Sequence, residues 1–116
     1  MLKTPQEMAT EIREKMRGGD GNIVIKNLFQ PEELKGKVRL TAEITIPAGG
    51  SIGFHRHEQE EEIFYFISGR GSVDDNGVSK EVGPGYAMLT GNGNGHSVRN
   101  VGSEPLVLLA VILLYS

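Results

Sequence analysis

Residues 49–69 read GGSIGFHRHEQEEEIFYFISG, and the fold is decided here. His55 and His57 are two residues apart. In a β-strand, residues i and i+2 project from the same face, so both imidazoles can converge on one point. A cluster of acids follows at Glu58, Glu60, Glu61 and Glu62. Glu62 leads directly into Ile63-Phe64-Tyr65-Phe66-Ile67 and shares strand parity with Phe64 and Phe66. A carboxylate on the apolar face of a strand is costly to bury unless it is paired or bound to a metal. His55, His57 and Glu62 are therefore candidate metal ligands. Glu58, Glu60 and Glu61 read as a solvated loop.

Upstream, Val38, Leu40, Ala42, Ile44 and Ile46 alternate with polar residues, the pattern of a half-buried strand that ends at Pro47-Ala48-Gly49-Gly50. Downstream, Asp74-Asp75-Asn76-Gly77 is a hairpin signal and Gly83-Pro84-Gly85 a second turn. Short strands are expected from Tyr86 to Leu89 and from His96 to Asn100. The last apolar run, Leu106 to Tyr115, does not alternate, so both its faces should be covered, by a second layer or by a second subunit. At the N-terminus, Thr4-Pro5-Gln6-Glu7 has the form of a capping box, Met8, Ile12 and Met16 recur every four residues, and Gly18-Gly19 follows. This predicts one short helix over residues 4–17, packed outside a β-barrel formed by residues 38–116.

The chain has 116 residues, enough for one domain. Twelve basic and 15 acidic residues give a formal net charge of −3, with no basic stripe, which disfavours nucleic acid as a partner. No cysteine is present, so thiolate metal sites are excluded. The ten-residue run from Leu106 is too short for a membrane-spanning helix, and residues 1–15 contain no apolar run of a secretory kind. The simplest expectation is a cytoplasmic protein without membrane contact. Its small size and the two-faced apolar strand predict a homodimer.

The spacing goes further. Gly49, five residues, His55-Arg56-His57, four residues, Glu62, six residues and Gly69 resembles the first cupin motif throughout. Gly85, five residues, Gly91, one residue, Gly93, two residues, His96, three residues and Asn100 resembles the second. Gly91 stands where the family usually has proline, and Tyr86 where an acid is common. The similarity is greatest to small stand-alone cupins, some of them likened to oxalate decarboxylases or sugar-phosphate isomerases. The resemblance implies an all-β double-stranded β-helix, a jelly-roll barrel, with His55, His57, Glu62 and His96 as ligands of one divalent transition metal. His96, unremarkable by itself, enters the set only through the resemblance. Imidazole and carboxylate donors suit Mn, Fe, Co, Ni, Cu or Zn.

Four protein ligands leave coordination positions open on an octahedral ion, which favours chemistry or ligand binding over a purely structural site. Phe64 and Phe66, on the face of Glu62, are expected to line a substrate pocket. The expected function is a metal-dependent enzyme — a dioxygenase, decarboxylase or isomerase — acting on a small organic acid, diketone or enol, or sugar derivative coordinated to the ion. The alternative is a small-molecule binding or sensing module. No general acid or base stands out. By parity Tyr65 and Arg99 point away from the ion, and Tyr86 sits in a turn.

Overall fold

The computed structural model describes all 116 residues. Ten strands make up the molecule: β1 (Ala9–Glu14), β2 (Asn22–Asn27), β3 (Val38–Ile46), β4 (Ser51–Arg56), β5 (Glu60–Ser68), β6 (Gly71–Asp75), β7 (Val78–Val82), β8 (Ala87–Gly91), β9 (Gly95–Asn100) and β10 (Leu106–Leu114). Six form one sheet in the order β1-β2-β3-β10-β5-β8, and four form the other in the order β4-β9-β6-β7. Every pairing is antiparallel. The hairpin between β6 and β7 turns at Asn76 and Gly77, with φ of 50° and 97°. Two successive left-handed residues are what a two-residue hairpin needs to match the strand twist.

The core lies between the two inner faces. From the larger sheet come Ile23, Ile25, Ala42, Ile44, Phe64, Phe66, Leu106, Leu108 and Ala110, and from the smaller come Ile52, Val73 and Val98. Registers align these side chains in rows across the larger sheet. Ile44 faces Leu108, which faces Phe66; Ala42 faces Ala110, which faces Phe64. One row further along, Leu40, Ile112, Glu62 and Thr90 lie side by side. A carboxylate therefore occupies the same inner face as the hydrophobic core.

β10 is central, between β3 and β5. Leu106, Leu108, Ala110 and Ile112 are buried, whereas Val107, Leu109, Val111 and Leu113 are half-buried on the outer face. The second inner layer covers one face of this apolar strand. The other looks outward.

The N-terminal region departs from expectation. Residues 4–17 are not a helix. Pro5–Glu7 is a single 3-10 turn, and the Glu7 carboxylate accepts hydrogen bonds from the Thr4 backbone N–H and Oγ1 at 3.0 and 2.9 Å. β1 follows at Ala9 and pairs with β2. The stripe Met8, Ile12, Met16 misled because a spacing of four keeps residues on one face of a strand as well as of a helix. The capping box is present but caps one turn only. β2 then pairs with β3, so the barrel's strands begin at Ala9, not at Val38.

Candidate metal centre

Both sheets contribute to one cluster. His55 on β4 lies directly opposite His96 on β9. His57 lies just past the end of β4, with its backbone held by the glycine-rich loop: its N–H donates to the Asn94 carbonyl, and its carbonyl accepts from Gly93 N–H. Glu62 comes from β5 across the core. The four potential ligand atoms lie within 4.8 Å of one another. His57 Nε2 and His96 Nε2 are 3.0 Å apart, His96 Nε2 and His55 Nε2 3.2 Å. Glu62 Oε1 lies 2.8 Å from His57 Nε2 and 3.1 Å from His96 Nε2. His57, Glu62 and His96 are buried, and His55 is half-buried.

The other ring nitrogens determine what these atoms are. His55 Nδ1 lies 2.8 Å from the Gly53 carbonyl, which can only accept, so Nδ1 carries the proton and Nε2 presents a lone pair. His57 Nδ1 lies 2.6 Å from Glu60 Oε2, which fixes the same tautomer in the neutral ring. His96 Nδ1 is bonded to Thr90 Oγ1 at 2.9 Å. Lone pairs and a carboxylate oxygen aimed at one point repel unless a cation stands between them. Donors bonded to one ion at about 2.0–2.2 Å and at right angles are about 3 Å apart, and the four separations of 2.8–3.2 Å are of that size. The residues fit a divalent cation.

The electrostatics agree with the burial. Burial holds the His55 imidazolium pKa down at about 4, against the Gly53 hydrogen bond, so the ring is neutral near pH 7. Burial also opposes charge on His57, but hydrogen bonds to Glu62 and Glu60 outweigh it and raise its pKa. Burial likewise opposes charge on Glu62, but its hydrogen bonds with His57 and His96 outweigh it and lower its pKa.

Glu60 is the main correction to the site. Expected in solvent, it instead buttresses His57, and its side chain is 14% exposed. Arg39 grips it with two bonds, Nε to Oε1 at 3.0 Å and an Nη to Oε2 at 2.9 Å, which holds the Glu60 pKa at about 2. A carboxylate behind a ligating imidazole orients the ring and raises its basicity. The missed signal was parity: Glu60 stands two residues before Glu62, on the same side of β5. Glu58 is exposed, as expected.

Phe64 stacks on the His96 ring, with centroids 4.7 Å apart and planes 15° from parallel. Together with His55, His57, Glu62, Leu40 and Ile112 it lines a cavity of about 60 Å³. A water needs roughly 10–15 Å³ of such space, so the cavity admits a group of roughly four to six heavy atoms. Phe66 is fully buried in the core behind Phe64 and does not reach the cavity wall. The rim comes from an unforeseen source, the N-terminal segment, with Glu11, Arg13, Met16 and Arg17. Tyr65, Tyr86 and Arg99 are exposed, and Arg99 bonds Asp20.

Comparisons with known proteins agree with this geometry. A family model described as "Cupin domain" matches residues 42–112. The chain is 38% identical over 114 residues to an oxalate-binding protein of Thermotoga maritima, covering 98% of this chain and 94% of that protein. The crystal structure of a predicted oxalate decarboxylase from the same organism superposes with a TM-score of 0.93 at 38% identity, covering 98% and 99% of the two chains. The polyketide cyclase RemF of Streptomyces resistomycificus shares the fold, with a TM-score of 0.78 at 20% identity over 100% of this chain and 81% of that one.

Proposed function

The chain belongs to the cupin family, and from that premise we propose that it is a metal-dependent enzyme acting on a small organic acid. His55, His57, Glu62 and His96 hold one divalent transition metal at the base of the cavity. One observation carries the reading: two of the three imidazoles have Nδ1 tied to a pure acceptor, so that unprotonated Nε2 atoms and Glu62 Oε1 converge. A bound divalent ion supplies Lewis acidity toward a carboxylate or carbonyl oxygen. The chain's own residues set what reaches it. Phe64 and Ile112 keep the wall apolar, and the volume limits the ligand to about the size of oxalate. The T. maritima relative, by its description, binds that compound. The same description favours the second reading, a binding module without turnover.

The experiment loads the protein separately with Mn, Fe, Ni and Zn and offers small dicarboxylates, diketones and sugar acids, with and without dioxygen. Turnover that disappears in His96→Ala together with the bound metal is the expected result. Tight metal-dependent binding without product under any loading establishes the binding module instead. Undiminished metal in both His57→Ala and His96→Ala refutes the metal centre.

We also propose that two copies associate through the outer face of the larger sheet. Ile63, Tyr65, Ile67 and Leu89 are exposed there, beside the half-buried Val107, Leu109 and Val111. Tyr65 faces Leu109, and Ile63 faces both Val111 and Leu89, so the apolar side chains form one continuous patch. Such patches on soluble proteins mark interaction surfaces. Light scattering on a sizing column should give the dimer mass. Monomer mass at high concentration refutes it.

A further inference from the structure

Three arginines line the cavity, and two of them are neutralised. Arg39 is held by both oxygens of Glu60, and an Arg13 Nη lies 3.5 Å from Glu11 Oε1. Arg17 is in no ion pair and donates no side-chain hydrogen bond, yet it is an exposed residue lining the same cavity as His55, His57 and Glu62.

The chain holds this residue in place by unusual means. Arg17 adopts φ 55° and ψ 30°, and Lys15 φ 51° and ψ 46°, left-handed conformations that side chains disfavour. Such conformations persist only where the surroundings over-determine them, and they cluster at functional sites. Here the surroundings are β4 itself. Asp20 N–H donates to Ser51 Oγ at 3.0 Å, and Ser51 N–H donates to the Asp20 carbonyl at 2.8 Å. Gly53 and Gly19 let the two backbones touch: a Cβ on Gly53 would fall on the Arg17 carbonyl oxygen, and one on Gly19 on the Ser51 carbonyl oxygen. The turn that carries Arg17 is thus fastened to the strand that carries His55.

We infer that Arg17 is the anion anchor of the cavity and selects a doubly charged ligand, a small dicarboxylate-type dianion, over a singly charged one. The inference rests on the metal-centre reading, and charge accounting supports it. A divalent ion with Glu62 leaves +1 at the cavity floor. The pairs Arg39–Glu60 and Arg13–Glu11 add nothing. Arg17 adds one more positive charge, and a dianion neutralises the total. Arginine is the side chain best suited to a carboxylate, through a two-pronged, charge-assisted contact.

The test uses calorimetric titration of the Mn-loaded full chain with oxalate and with glycolate, which is close in size but carries one charge. Wild type should prefer oxalate. Arg17→Gln should bind oxalate about tenfold to a hundredfold more weakly and glycolate nearly as before, with metal content and melting temperature unchanged. Arg17→Lys should recover part of the loss. An Arg17→Gln protein that keeps the preference overturns the inference, as does one that loses metal or weakens both ligands equally. Wild type that binds glycolate but shows no preference overturns it and leaves the metal-centre reading intact. Mn-loaded wild type that binds neither acid overturns the inference, and a chain that retains no Mn takes down the metal-centre reading itself.

Discussion

The floor and the rim of the cavity are built on opposite terms. On the floor, His57, Glu62 and His96 are buried, and each imidazole is fixed through its second nitrogen. On the rim, all six residues of β1 are exposed, and the turn after it holds two side-chain-bearing residues in left-handed conformations. Donors about 3 Å apart must be placed to within a fraction of an ångström to share an ion, and only a packed interior supplies that constraint. Contact with the charged end of a ligand needs a cation at the right place but tolerates water around it. The floor is therefore suited to holding an ion, and the rim to choosing what approaches it.

Four substitutions would break or sharpen this contrast. Phe64→Ala should have the largest effect on stability, about 3–5 kcal/mol by urea unfolding, because it empties a site that is 2% exposed and removes the ring stacked on His96. A loss below 1 kcal/mol would mean the floor is looser than its packing indicates. Glu60→Ala should weaken metal binding about tenfold to a hundredfold in competition with a chelator of known affinity. Unchanged affinity would show that His57 needs no buttress. Gly53→Ala links the two regions, since its new methyl meets the Arg17 carbonyl. It should cost about 1–3 kcal/mol of unfolding free energy through overpacking. No cost would mean the turn is not clamped to β4. Ile12→Ser on β1, where Ile12 is 65% exposed, should change stability by no more than about 0.5 kcal/mol. A larger loss in the isolated monomer would contradict its exposed position.

What could be read along the chain was whatever depends on local periodicity or on motif spacing. The alternation of Val38–Ile46 became β3 with the same ends, and Asn76-Gly77 became the expected hairpin. Glu62, Phe64 and Phe66 share a buried face while Tyr65 is 46% exposed, as their parity required. The N-terminal segment misled because a spacing of four satisfies both periods. The choice went to the strand because β2, which carries the buried Ile23 and Ile25, pairs with both β1 and β3. No window around Met8–Met16 contains that partner.

For the site, the chain alone established that His55 and His57 can share one face and that Glu62 shares another with Phe64 and Phe66, because strand parity is a local property. Resemblance in motif spacing brought in His96. Their convergence depended on tertiary structure, since His55 meets His96 across β4 and β9 and meets Glu62 across the core between the sheets. Glu60 was legible by its parity with Glu62, but its bond to His57, the contacts of Thr90 and the Gly53 carbonyl, and the place of Arg17 at the cavity were decided only there. The histidine partners of Glu60, Thr90 and Gly53 are near in sequence, but a hydrogen bond's direction or a left-handed turn pressed against a glycine leaves no periodic trace along the chain.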